Sequence, residues 1–441
     1  MKNILPSINF AYVSPAKILL LGYLSYVIIG WTLLCMPFSQ TVNVSAFDNL
    51  FIATSAVSTT GLATLNVSES YSFFGECVIL ALIQLGGIGY MTFGSFIILS
   101  TRQKMSGFRT DICRKTFALP EDFSVRRFIK LVVAFTLISE CIGALLLFMV
   151  FRYNNEPNAL WSAIFHSISA FCTAGFSLNS NSFEDYADNV YLNIVIAGLS
   201  YIGAIGFIVM TDMWQHLTGQ RRHLHFASKV IIQITLWFSA VGVVLFFMME
   251  PSIQHLPNWE RLLVSFFQVM TAATTVGFNT ISISAISASV IMLLYFLMIF
   301  GASPSGTGGG LKSTTLAALW GLMRSTLKSR DEVRFQKRAI SQERLQMAAA
   351  GFTFYMAVLF AAMLLLLSLE DASFEIILFE AISALGTVGL SMGLTGELTN
   401  LGKLIVIMLM FMGRVGILTF GIAVSMKDET REEEQDADLV M

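Results

Sequence analysis

Four short segments each place a threonine two residues ahead of a glycine: Ser58-Thr59-Thr60-Gly61-Leu62, Cys172-Thr173-Ala174-Gly175-Phe176, Thr274-Thr275-Val276-Gly277-Phe278 and Gly386-Thr387-Val388-Gly389-Leu390. What such segments offer is backbone chemistry. Glycine reaches dihedral angles closed to other residues and lets chains approach closely. A Thr-x-Gly run can therefore turn successive carbonyls toward one axis. Four runs around that axis would stack rings of oxygens, and such rings replace the hydration shell of a dehydrated cation. None of the four contains Asp or Glu. Carbonyls suit a large monovalent ion, and the missing carboxylates argue against a divalent-selective ring. The competing reading is that the glycines only let transmembrane helices pack closely. It weakens when the motif occurs four times.

The elements that must position these loops follow from composition. The 441 residues are 55% hydrophobic and 13% charged, whereas soluble domains carry about a quarter charged residues. This much apolar surface needs lipid as solvent. A span takes about 20 mostly apolar residues, and eight stretches qualify: 17–37, 73–100, 128–151, 190–214, 228–249, 287–321, 346–369 and 401–425. Between the members of each pair lies an apolar segment too short to span, at 46–57, 159–172, 259–273 and 374–386. The order span, short pore helix, loop, span thus occurs four times. The expected fold is an all-α polytopic membrane protein with four pseudo-symmetric units around a central pore. Its repeats are drawn at 1–105, 106–218, 219–330 and 331–426, followed by an acidic tail at 427–441. The second span of every unit also carries a glycine cluster, beginning at Gly86, Gly203, Gly301 and Gly413. Close helix packing is the default reading there.

Topology follows from basic residues, which concentrate on the cytoplasmic side. They crowd into 101–130, 215–229 and 322–345, while the other connectors carry only Arg152, Arg261 and Lys403. Both termini are then expected in the cytoplasm, with all four loops entering from outside. The first span lacks the small-residue cleavage pattern of a signal peptide. The five cysteines form no CxxC pair, so neither a zinc knuckle nor a redox motif is supported. His216, His223 and His225 share a basic linker and are read as solvated; His166 falls in a short helix and is read as packed. Contact with membrane lipid is implied throughout, and nucleic-acid binding has no support.

In these four loops the chain resembles the Trk/Ktr/HKT potassium transporter superfamily, and the resemblance runs from about residue 17 to 425, on its KtrB-type side. The compact length and the absence of two extra leading spans are similar to that branch. The resemblance implies that Gly61, Gly175, Gly277 and Gly389 are the filter glycines. With Thr59, Thr60, Thr173, Ala174, Thr275, Val276, Thr387 and Val388 they would form the potassium filter. A glycine in the first filter implies selectivity for potassium over sodium. Family members can be sodium-dependent, so that dependence stays open. The resemblance also implies a bacterial plasma (inner) membrane location, a homodimer with a pore in each subunit, and a separate cytoplasmic nucleotide-binding ring of RCK type.

The second span of the third unit is interrupted by Gly301, Ser303, Pro304, Ser305, Gly306, Thr307, Gly308, Gly309, Gly310 and Lys312. So much Gly, Ser and Pro cannot continue a helix, and irregular backbone at membrane depth should line a cavity. A plug beneath the filter is the functional reading, and it resembles the intramembrane gating loop of KtrB-type proteins. A plain helix break is the alternative. A phosphate-binding loop is excluded, because Leu311 rather than glycine precedes Lys312. Arg414 and Glu140 lie inside apolar spans, where charge is costly. Arg414 is read as an electrostatic barrier, a tether for the loop or a donor to helix ends. Glu140 is read as a structural contact without a nameable partner.

The function expected is passive potassium uptake driven by the membrane potential, gated by the loop and controlled by a separate subunit. Potassium is substrate, and no organic cofactor or enzymatic site is expected. Sodium- or proton-coupled transport is the main alternative; a scaffold without transport is another.

Overall fold

The computed structural model describes residues 15–89, 125–219, 222–330, 332–336 and 338–425. Residues 90–100 of the second expected span, most of the 101–130 linker and the acidic tail lie outside the described residues. Long apolar runs form α1 (Pro15–Leu34), α4 (Val125–Tyr153), α8 (Phe226–Met249) and α12 (Gln342–Leu369). All four are long and apolar enough to cross a membrane. Each is followed by a shorter helix: α2 (Ala46–Ser58), α5 (Ala159–Phe171), α9 (Asn258–Thr274) and α13 (Phe374–Gly386). A loop and a third, apolar helix come next: α3 (Phe73–Ile88), α6 (Val190–Ala204), α10 (Ala288–Phe300) and α14 (Asn400–Val415).

The third helices do not run straight on. The chain turns by 97° into α7 (Phe207–Leu217) and by 100° into α15 (Ile417–Ser425). Sequence reading drew 190–214 and 401–425 as unbroken spans, and the structure corrects both. Hydropathy hides the corners because apolar residues continue through them. A positive-φ glycine stands at each: Gly206 (φ 97°) and Gly416 (φ 94°). In the third unit residues 301–312 separate α10 from α11 (Ser313–Thr326). One departure from an all-helical chain is a two-residue antiparallel ladder, Arg334–Phe335 with Arg338–Ala339.

Buried apolar residues form two large clusters, one mainly from the first half of the chain and one mainly from the second. They interlock: Phe51 and Leu62 join the later cluster, while Phe267, Met270, Val276 and Phe278 join the earlier one. Polar contacts link the four units in order. Trp161 Nε1 donates to Glu76 Oε2 at 2.6 Å, Asn279 Nδ2 to Glu184 Oε1 at 2.8 Å, and Tyr295 OH to the Glu375 carbonyl at 3.0 Å. Lys403 Nζ, 2.7 Å from Asp48 Oδ1, joins the last unit back to the first.

The Lys403–Asp48 side chains are only 12% and 17% exposed. Removing one partner should cost about 2 kcal/mol, between the values for exposed and fully buried pairs. Lys403→Met should lower the thermal unfolding midpoint of detergent-solubilised protein. Glu332→Gln, which breaks an ion pair of 52% and 62% exposed side chains, should leave it in place.

Candidate functional site

Each short helix delivers its threonine in the left-handed region: Thr59 (φ 51°), Thr173 (51°), Thr275 (57°) and Thr387 (50°). A β-branched residue with positive φ is a genuine outlier, costing about 1–3 kcal/mol where the surroundings enforce it. Two residues on, Gly61 (95°), Gly175 (66°), Gly277 (88°) and Gly389 (92°) are positive again. The residue between them is tied back into its helix. Thr60 N donates to Ser55 O, Ala174 N to Ser169 O, Val276 N to Thr271 O and Val388 N to Ser383 O, all at 2.8–3.1 Å.

The loops meet in a cycle. A Cβ added to Gly61 would overlap the Ala174 carbonyl oxygen, one on Gly175 the Val276 oxygen, one on Gly277 the Val388 oxygen, and one on Gly389 the Thr60 oxygen. Every such Cβ would lie 3.1 Å from the next loop's glycine Cα. Each missing side chain is therefore the space taken by a neighbouring carbonyl, and the fourth loop returns to the first. Outside the ring a vestibule touches all four glycines, and Glu184 is the one charged residue among its lining. The helix C-termini behind the loops carry partial negative charge that favours a cation.

Sequence reading missed a set of hydroxyls six positions before each glycine: Ser55, Ser169, Thr271 and Ser383. Three accept from the glycine N–H at 3.1 Å: Ser55 from Gly61, Thr271 from Gly277 and Ser383 from Gly389. Ser169 instead donates to Phe176 O at 2.8 Å, beside the glycine with the smallest φ. Aligning the four loops exposes this pattern, but a lone Ser or Thr in an apolar helix attracts no notice.

The glycine clusters of the third helices do pack closely. Cβ atoms on Gly86, Gly203, Gly301 and Gly413 would overlap the carbonyls of Val57, Phe171, Ala273 and Leu385, in each case two residues before a left-handed threonine. Residues 301–312 then cross the inner side of the loops. Thr59 Oγ1 donates to Thr307 O (3.2 Å), Thr173 Oγ1 bonds Thr307 Oγ1 (2.9 Å), and Gly309 N donates to Thr387 Oγ1 (2.8 Å). Gly308 lies so close to Thr275 Oγ1 that a Cβ would overlap it. Lys312 Nζ folds back onto Gly308 O at 2.9 Å, and Ser305 accepts from Phe207 N and Ile208 N at the start of α7.

Arg414 donates through Nη1 to Thr307 O and through Nη2 to Gly86 O. It thus holds both the 301–312 segment and the end of α3. Glu140, whose partner sequence could not supply, lies 3.8 Å from Cys172 Sγ, and its carbonyl accepts from Ser167 Oγ. The linker histidines read as solvated need one correction. His225 Nδ1 pairs with fully buried Asp212 at 2.6 Å, because Asp212 also accepts from the His225 N–H.

A buried N–H left without an acceptor costs about 1–3 kcal/mol. Thr271→Val should therefore destabilise the solubilised protein by that amount in thermal unfolding, while Thr271→Ser, which keeps the acceptor of Gly277, should lose less than half as much.

The family model described as TrkH, cation transport protein, matches residues 29–434. The chain is 32% identical over 426 residues to the Ktr system potassium uptake protein B of Vibrio alginolyticus, covering 94% of this chain and 92% of that one. It is 34% identical to the Bacillus subtilis protein of the same name, covering 94% and 93%. Identity is also 34% to the potassium/sodium uptake protein NtpJ of Enterococcus hirae, covering 95% and 94%. The crystal structure of the potassium transporter TrkH from Vibrio parahaemolyticus superposes with a TM-score of 0.74 at 19% identity, over 95% of this chain and 86% of that one. That likeness concerns the fold. The family match across nearly the whole chain, joined to four Thr-x-Gly loops closed in a ring, makes this an integral membrane protein of the TrkH cation transport family.

Proposed function

We propose that this chain takes up potassium through the ring of loop carbonyls, with residues 301–312 as the gate. The carrying observation is the cyclic contact of Gly61, Gly175, Gly277 and Gly389 with the carbonyls of Ala174, Val276, Val388 and Thr60. Oxygens so placed substitute for the water around a monovalent cation. One charge moving inward across 100 mV gains about 2.3 kcal/mol, enough to drive uptake without a second substrate. Relatives named for potassium uptake support the choice of ion. In this reading the chain comprises four units and eight spans, with termini in the cytoplasm of a bacterial plasma membrane.

The gate reading rests on Thr307, Gly308 and Gly309 lying across the inner threonines while Arg414 holds Thr307. Two discrete positions of this segment, biased by a cytoplasmic partner, would open and close the path. The relatives' name, a Ktr system, fits more than one component. A homodimer bound to an RCK-type nucleotide-binding ring is the assembly proposed. The sodium in the name of NtpJ, a potassium/sodium uptake protein, makes sodium-dependent uptake a second reading. It is distinguished by whether potassium influx needs external sodium.

In a potassium-uptake-deficient bacterial strain, the chain with an RCK partner should restore influx that follows the potassium gradient and membrane potential. Gly277→Ser should keep insertion but lose selectivity over sodium, because the new Cβ displaces the Val388 carbonyl. Unchanged selectivity at normal expression would count against the ring. Shortening 304–310 or replacing Arg414 with Gln should raise flux through folded protein several-fold and leave selectivity intact. A drop in flux would reject the gate.

A further inference from the structure

Nine positions before the loop glycines stand Ile52, His166, Gln268 and Glu380, all fully buried. The last three do the same task with different chemistry. His166 Nδ1 donates to the Ser162 carbonyl at 2.8 Å, which leaves Nε2 to accept from Leu178 N at 3.3 Å and from Ser177 Oγ at 2.9 Å. Donor on one nitrogen and acceptor on the other is the pattern of a neutral imidazole. Gln268, with its amide oriented so that oxygen faces the donors, accepts from Thr280 N at 2.9 Å and Ile281 N at 3.2 Å. Glu380 accepts from Ser391 Oγ at 2.8 Å and from Thr395 Oγ1. In each case the groups that donate to the side chain belong to the segment leaving the ring just beyond Gly175, Gly277 or Gly389. The first loop has Ile52 instead and no such bond from that position.

We propose that His166, Gln268 and Glu380 are positioning residues that pin the outward-going strands of loops two, three and four, and thereby hold the carbonyl ring to the width that discriminates between monovalent cations. At the corresponding position of the first loop Ile52 offers apolar packing only. A buried polar group is retained where its bonds specify one geometry. Three different polar side chains at one helix position, each turned to the segment that leaves the ring, are such a case. This inference rests on the carbonyl ring being the ion path.

The test is potassium and sodium influx into vesicles holding the full chain and its partner, with flux scaled to folded protein. Gly277→Ser serves as the reference for a damaged ring. Glu380→Leu should lower the potassium-to-sodium ratio about tenfold, and Glu380→Gln, which keeps an acceptor, should recover most of it. Thr395→Val with Ser391→Ala cuts the same bonds from the other side and should reproduce the loss, should Glu380→Leu fail to fold. Ile52→Val trims the core at the equivalent position with no hydrogen bond to lose and should keep the wild-type ratio. An unchanged ratio in folded Glu380→Leu beside a collapsed ratio in Gly277→Ser overturns the pinning role and leaves the path standing. An equal loss in Ile52→Val assigns the effect to packing and overturns it as well. Wild-type vesicles that pass no potassium overturn the path and the inference together.

Discussion

The structure turns on four carbonyl oxygens, each occupying the place where a neighbouring glycine has no side chain. That arrangement admits only glycine at Gly61, Gly175, Gly277 and Gly389. It also demands left-handed threonines two residues earlier, since the chain must reverse at the end of each short helix. Four strained β-branched residues persist only in surroundings that over-determine them. Here they comprise backbone bonds into the last helical turn, hydroxyls under three of the glycine N–H groups, and third-helix glycines pressed against the carbonyls behind the threonines. The interlocked clusters and the Lys403–Asp48 pair then hold the cycle shut across the ends of the chain.

The segment 301–312 is the point at which fourfold likeness ends. The third helices of the second and fourth units turn on a single glycine, whereas here a dozen residues leave the helical path and lie against the inner threonines. Its glycines make that approach feasible, because a Cβ at Gly308 or Gly309 would meet Thr275 or Thr387. Arg414 offsets the cost of a guanidinium at this depth by donating to carbonyls of two different units. The segment is thus bonded at once to the loops, to the corner helix and to the arginine.

Much of this was legible in sequence. Expected short helices at 46–57, 159–172, 259–273 and 374–386 agree within a residue with those observed, because loop motifs mark their ends and apolar runs mark their length. The interruption after Phe300 was legible from Gly, Ser and Pro alone. The corners at Gly206 and Gly416 were not, since apolar residues on both sides read as one span. Contacts between distant residues were beyond reach for a different reason. Neither Glu140 with Cys172 nor Asp212 with His225 follows from any periodicity. The hydroxyls at Ser55, Thr271 and Ser383 lay in plain view, but only the bonds they make separate them from ordinary helical serine and threonine.

The most direct test of the central claim is anomalous diffraction from crystals of the protein grown in rubidium, a heavy stand-in for potassium. The account predicts a peak on the axis between the carbonyls of Thr60, Ala174, Val276 and Val388, lost when sodium replaces rubidium. An ordered ring with no peak at saturating rubidium, or a peak only elsewhere in the chain, would contradict it.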